Sequence, residues 1–369
     1  MPKKSNVTKR SDGRWMGRAV IDGKRRVVYA PTQREAEQKL RALLSDADKG
    51  LTQPTETRTL SVHLDRWLED IVRPRVKPST YRSYALLARL YIKPALGSVR
   101  LTKLQPGDLQ ALYGAMSARG LSASTVSRVH AVLRSSLRHA LDTGLVYRNV
   151  SQAAHPPTVR REEMQSLDRE QARSLLAAAR DGRLEALLTL ALATGMRQGE
   201  LLGLRWGDVD LEAGAVRVVR QLGTDGTFSS PKSRQSVRTV DINPSTVSAL
   251  RARKIRQLET RAILGPKYQN QDLVFCTVRP WPEPAGSPLG YRNVDRELKA
   301  LLCRAGLPPI RFHDLRHTAA TLMLLADTPL HVVSRRLGHA SIVLTGNTYA
   351  HVLPSQGREV ADRMEAILG

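Results

Sequence analysis

Arg311-Phe312-His313-Asp314-Leu315-Arg316-His317, then Leu337-Gly338-His339, then Asn347-Thr348-Tyr349-Ala350-His351 are the segments on which the reading of this chain turns. His313 and Arg316 stand three positions apart, a spacing that puts both on one face of a helix. Another imidazole and a phenol follow close behind. Cations, imidazoles and a phenol gathered late in a basic chain point to chemistry on a phosphate.

The rest of the chain supports a phosphate partner. Its 58 basic and 34 acidic residues leave a net charge of +24 and a pI near 10.7. Such a balance calls for a polyanion. Nucleic acid is favoured over a membrane surface, because no strongly basic amphipathic anchor stands out. A ribosome-like or merely solubilised basic protein is the plainer alternative. Aromatic residues make up only 4%, which argues against stacking on single strands and for backbone contact with duplex DNA. At 369 residues, two or three domains are expected. No apolar run approaches the roughly 20 residues of a membrane span. Met1-Pro2-Lys3-Lys4 has no apolar segment behind it, so no secretory signal is expected. Cys276 and Cys303 lie far apart. They give neither a disulfide framework nor a paired zinc knuckle, and they fit a reducing cytosol.

In chain order, residues 1–50 read as a small basic module. Arg14 to Ile21 and Lys24 to Tyr29 read as strands around an Asp22-Gly23 turn, and Thr32-Gln33-Arg34-Glu35 is a capping box opening a helix. A basic ribbon carrying Lys3, Lys4, Arg14, Arg18, Lys24, Arg25 and Arg26 can enter a major groove; a solvated hairpin is the alternative. Residues 51–58 read as a linker. Residues 59–150 carry four helical patterns: Leu60 to Ile71 stopped by Pro74, Ser79 to Tyr91 ended by Pro94 and Gly97, Leu109 to about Ala118, and Ser122 to about Gly144. On these, Lys77, Arg82, Arg128, Arg134 and Arg138 can reach phosphates, although each alone is an ordinary surface charge. Residues 151–165, with Pro156-Pro157, read as a second linker, and residues 166–369 as the last domain. There Leu184 to Ala193 is a buried helix, Val216 to Leu222 and Ser236 to Ile242 pair as strands, and more helices follow. The fold class expected is multidomain and mainly α with small β elements: an N-terminal β-hairpin or sheet plus helix, a helical domain, and a mixed α+β domain.

Thr194-Gly195-Met196-Arg197-Gln198-Gly199-Glu200 places Arg197 just after a turn, with Glu200 three positions on to brace it; a surface ion pair is the plain reading. Lys232 in Pro231-Lys232-Ser233-Arg234 sits in the hairpin region, ahead of Arg238. Together, Thr-Gly-x-Arg-x-x-Glu, a lysine in a β-turn, His-x-x-Arg, Leu-Gly-His and a tyrosine ten positions after His339 resemble the tyrosine recombinases of the phage-integrase family. The resemblance runs from about residue 58 to the end, and the first 50 residues are similar to an arm-binding module.

That resemblance implies a core-binding helical domain, a tyrosine-recombinase catalytic domain, and a site-specific recombinase acting through a 3′-phosphotyrosine. Tyr349 would be the nucleophile and Arg197 and Arg316 would meet charge on the phosphate oxygens. His313 would donate a hydrogen bond or take the tyrosine proton, His339 would bond the scissile phosphate, Lys232 would protonate the leaving 5′-oxygen, and Glu200 would orient the cluster. Neither metal nor ATP is expected. The partners implied are double-stranded DNA at core and arm sites gripped in a C shape, a homotetramer on DNA, an excision factor and a DNA-bending host protein, in the cytoplasm and nucleoid of a bacterial host. The alternatives are a resolvase or topoisomerase of the same chemistry, and a non-catalytic DNA-binding regulator. His313 and His317 are spaced as in a zinc helix, but the run is not His-Glu-x-x-His and Arg316 would repel a dication. No Gly-x-x-x-x-Gly-Lys phosphate loop occurs. His317 and His351 read as supporting structural groups. Gly346-Asn347 departs from the apolar residue often found ahead of the family's tyrosine, and a loosened tyrosine helix is expected there. A last helix is expected over Ser355 to Leu368, with Val360, Met364 and Ile367 on one face.

Overall fold

The basic ribbon near the start is part of a three-stranded antiparallel sheet, because a short strand not expected from the sequence, β1 (Val7–Lys9), adds to its edge. β2 (Trp15–Ile21) pairs with β1 on one side and with β3 (Lys24–Ala30) on the other. α1 (Gln33–Asp48) packs on one face, where Gly17, Ala30, Ala36 and Leu40 are buried and Gly17 lies close against Leu40. Period-2 alternation puts Arg18 and Val20 of β2, opposite Val27 and Arg25 of β3, on the other face. The computed structural model describes residues 7–21, 24–48, 58–159, 165–231, 236–278, 284–339, 341–349 and 364–368. Lys3, Lys4, Asp22-Gly23 and Lys232 lie outside those residues. The chain divides into two compact units, Met1–Glu162 and Glu163–Gly369.

The helical part of the first unit follows its apolar stripes. Ser122 caps α6 (Ala123–Asp142), which buries Val126, Val129, Val132, Leu133 and Leu137 against Leu60, Leu64, Trp67 and Leu68. α2 (Leu60–Arg66) runs on through a π turn, Trp67–Val72. α3 (Pro78–Leu87) likewise runs through a π turn, Ala88–Ile92, into α4 (Lys93–Leu96), so Pro94 does not end the helix as expected. The π turn moves the hydrogen bonding back one residue, with the Lys93 N–H donating to the Ala88 carbonyl. Pro94 then falls in the first turn of the new segment, where a missing N–H costs least. α5 (Pro106–Ala118) completes the set. Val150, just before the stretch read as a linker, and Ala154, within it, are buried in this core around a short 3₁₀ turn, Val150–Ala153.

The second unit is built around α8 (Glu185–Thr194), whose Leu187, Leu188, Leu190 and Ala191 are buried among α7 (Arg169–Ala179), α10 (Pro244–Leu264) and α12 (Asp314–Leu325). Asp168 and Gln171 form the capping box of α7. A small antiparallel sheet runs β4 (Val209–Asp210), β5 (Ala215–Val218), β8 (Arg238–Asp241). The strand expected over Val216 to Leu222 breaks after Val218. Arg220 turns aside, its Nε donating to the Gly203 carbonyl at 2.6 Å and its guanidinium lying over the Phe228 ring. The strand resumes as β6 (Gln221–Leu222), paired with β7 (Phe228–Ser229). α9 (Gln198–Leu202), α11 (Tyr291–Arg304), α13 (Leu330–Leu337) and α14 (Ile342–Tyr349) complete the unit. Of the expected last helix, residues 364–368 are described and are helical; Val360 lies outside the described residues.

Candidate active site

Two turns bring the site together. α8 ends at Gly195, in the left-handed region at φ 64°. α13 ends at Gly338, at φ 69°. A side chain at either position would be strained by that φ and would also run into a neighbour: Leu337 at Gly195, Arg238 at Gly338. Arg316, in the first turn of α12, donates Nη1 to the Gly195 carbonyl at 2.8 Å. Arg197, two residues past Gly195, donates Nη2 to the Gly338 carbonyl at 3.4 Å. His339 directly follows Gly338.

Glu200 is buried beneath this pair and acts as a bridge. Its carboxylate accepts from the Arg197 guanidinium at 2.8 Å and backbone N–H at 3.0 Å, and from Arg238 Nη2 at 3.0 Å. Burial pushes the carboxyl up, but Arg238 and Arg197 more than offset it and hold it below its ordinary value. Arg238 also donates to the Arg336 carbonyl at 2.7 Å and the Ser236 carbonyl at 3.0 Å. The sequence assigned no role to Arg238. A signal was there: it shares the inward face of β8 with Val240, and an inward charge on a short strand demands a partner.

Arg316 is 4% exposed, and its Nη2 is buried with no hydrogen-bond partner among the described residues. Burial, aided by Arg197, brings its guanidinium down to about 9. Burial and the same two arginines depress His313 and bring His339 to about 4, so both imidazoles are neutral near pH 7. The arrangement is a set of cations and neutral imidazoles short of one anion.

Tyr349 closes the site from α14. Its ring is 1% exposed in a small core of Ala320, Leu324, Val333 and Leu337, and burial raises its hydroxyl to about 12. That hydroxyl is hydrogen-bonded to Nδ1 of His317 at 2.8 Å. His317, read from sequence as a supporting group, therefore touches the candidate nucleophile directly. His313 stands one ring behind it, edge to face at 5.2 Å. His339 Nδ1 bonds the Thr345 hydroxyl at 2.7 Å, tying the second turn to α14. The structure thus brings Arg197, Glu200, His313, Arg316, His339 and Tyr349 together.

α14 runs through Gly346 without a break, so the glycine does not interrupt the helix. Among the described residues, a Cβ there would meet Leu330, at an ordinary 3.8 Å. Gly346→Ala should therefore stabilise α14 by about 1 kcal/mol, read as slower hydrogen exchange of its amides; unchanged exchange would show that the glycine costs the helix nothing.

The basic residues expected to reach DNA are scattered over the first unit. Arg18, Arg25, Lys77, Arg82, Arg128 and Arg134 are exposed and Arg26 is half-buried. Arg14 is tied to Asp12 and Arg128 to Ser83. Lys24 begins β3. Among the described residues, no group of three or more His, Cys, Asp or Glu could hold a metal, and no helix is long and apolar enough to cross a membrane.

Comparison with known proteins fits this geometry. Residues 165–356, more than half the chain, match the phage integrase family. The chain belongs to that family. It is a tyrosine recombinase, an enzyme that cleaves and rejoins DNA in site-specific recombination. Residues 59–117 match the N-terminal SAM-like domain of phage integrases. A tyrosine recombinase XerC-like protein of Caldanaerobacter subterraneus subsp. tengcongensis is 31% identical over 96% of this chain and 97% of its own. An integrase of Saccharopolyspora erythraea is 26% identical over 98% and 96%. Among solved structures, the Tn1549 transposon integrase in complex with transposon right end DNA superposes with a TM-score of 0.70 at 20% identity, covering 83% of this chain and 99% of that one. A lambda integrase tetramer bound to a Holliday junction gives a TM-score of 0.60 at 18% identity, over 94% and 96%. These two likenesses show the recombinase fold.

Proposed function

We propose that this recombinase is the integrase of a mobile element such as a phage, joining and releasing the element through a 3′-phosphotyrosine on Tyr349. One observation carries the reading: Nη2 of Arg316, buried and without a hydrogen-bond partner among the described residues, lies in a cluster with Arg197, neutral His313 and His339, and a phenol held by an imidazole. A scissile phosphate supplies the missing anion. Arg197 and Arg316 offer planar donors, charged near pH 7, whose contacts strengthen as charge builds on the phosphate oxygens. His339 and His313 donate further hydrogen bonds, Glu200 fixes Arg197, and Lys232 protonates the leaving 5′-oxygen, the last assigned on sequence grounds alone. The phosphotyrosine conserves the bond energy, so rejoining needs neither ATP nor a metal.

The wider reading divides the chain into an arm-site module (1–50), a core-binding helical domain (59–150) and a catalytic domain (166–369), joined by linkers. Four protomers exchange strands on paired duplexes, with an excision factor and a DNA-bending host protein setting direction, in the cytoplasm and nucleoid of a bacterium. The lambda integrase tetramer on a Holliday junction, a protein of the same fold, makes that assembly a natural one to test.

The test uses a duplex selected by the full-length protein from a random pool and nicked so that the short fragment escapes after cleavage. Tyr349→Phe should bind it with unchanged affinity and form no covalent adduct. An adduct in that variant would remove Tyr349 from the mechanism.

A further inference from the structure

We infer that His317, and not His313, takes the phenolic proton when Tyr349 attacks the phosphate. This rests on the assignment of Tyr349 as nucleophile and goes beyond it by naming the base. The geometry separates the two histidines. Nδ1 of His317 is at 2.8 Å from the Tyr349 hydroxyl, whereas among the described residues no hydrogen bond joins His313 to that hydroxyl, and the His313 ring packs edge to face on His317. A general base must lie within about 2.6–3.2 Å of the proton it removes, and His317 alone of the two meets that condition.

Protonation states agree. The phenol, raised to about 12 by burial, carries its proton, and with His317 in the Nε2–H tautomer it donates that proton to the Nδ1 lone pair. His317, brought to about 4 by burial with His313 and Arg316 beside it, is neutral and offers a lone pair. The charged and titratable groups around it are His313, Asp314, Arg316, Arg311, His339 and Tyr349. A base so weak would be poor in the empty site. A phosphate between Arg197 and Arg316 changes that, because its negative charge offsets the cations that depress His317 and raises its basicity as substrate binds. The base is thus strengthened by the anion it serves.

The step balances. The O–H bond of Tyr349 breaks and its proton passes to His317 Nδ1. The phenolic oxygen bonds to phosphorus and the bond from phosphorus to the 5′-oxygen breaks. The 5′-oxygen leaves with the proton assigned to Lys232. Rejoining reverses each transfer, so His317 returns its proton to the departing phenol.

His317→Asn places an amide where Nδ1 stands, so it can still bond the hydroxyl but cannot accept a proton. In single-turnover adduct formation on the selected nicked duplex, the rate should fall by about 10²-fold near pH 7. It should then climb tenfold per pH unit across a range where the wild type is flat. His317→Ala should show the same loss, partly recovered by added imidazole, a recovery that an unfolded protein cannot give. Cleavage by His317→Asn at close to the wild-type rate would overturn the inference. So would a loss in His317→Ala that responds to neither pH nor imidazole, which would make the ring a packing element only. Tyr349→Phe run alongside keeps the two readings apart. Adducts in that variant sink the nucleophile assignment; none there, with full activity in both His317 variants, sinks the base alone.

Discussion

Replacing Arg316 with lysine is expected to slow adduct formation by about 10²–10³-fold near pH 7, the effect of removing one preorganised donor from a developing oxyanion. Two properties of the position set the size. Arg316 spends Nη1 on the Gly195 carbonyl and keeps Nη2 buried and unspent. A lysine can satisfy the carbonyl, but it has no planar fork with which to reach a phosphate at the same time. The burial that brings a guanidinium to about 9 also acts on an amine whose ordinary value starts roughly two units lower, and drives it toward the uncharged form. R316K should therefore fold normally, bind DNA through its other contacts and recover part of its rate as pH falls. A rate within about tenfold of wild type, a loss of no more than 1.4 kcal/mol, would show that Nη2 does not meet the phosphate.

The second large effect is on stability. Glu200→Ala leaves Arg238 buried without its carboxylate and frees Arg197 from its brace. Breaking a buried ion pair from one side costs about 3–5 kcal/mol, because the remaining charge stays desolvated. Urea unfolding should show that loss. Removing both charges, as Glu200→Met with Arg238→Met, should cost less than Glu200→Ala alone; a cost equal to the sum of the two single changes would mean that the pair is not coupled. The dependence on pH has a definite sign. Glu200 is held below its ordinary value of 4.5, so its contribution is complete above that pH and is lost as pH falls through the lower native value. The gap between wild type and E200A should therefore close in acid.

Much of this was readable along the chain. The apolar stripe of α6 and its Ser122 cap, the Asp168–Gln171 box and the buried run of α8 are local patterns, and local patterns survive folding. The candidate catalytic residues came from a resemblance carried on fixed spacings, and of these Arg197, Glu200, His313, Arg316, His339 and Tyr349 lie together in the fold. What escaped depended on distant partners. Arg238 meets Glu200 only after β8 pairs with β5 and lies beside α9. His317 meets Tyr349 only when α14 folds back on α12, across a separation that no helical period spans. Pro94 misled for a different reason: a π turn reassigns hydrogen bonds, and nothing in residue type announces one. The β1 strand is three residues long, too short for alternation to register.

The two arginines rest on main-chain oxygens, those of Gly195 and Gly338. Main-chain atoms do not mutate. Side chains around the pocket can therefore drift over generations without moving either guanidinium, provided that the two turns keep their handedness. Glycine at those positions carries no reactive atom, yet a neutral-looking change to alanine there would displace both guanidiniums. Among inactive descendants of such a gene, the silencing lesion should fall on these two bare positions as often as on the residues proposed to meet the phosphate.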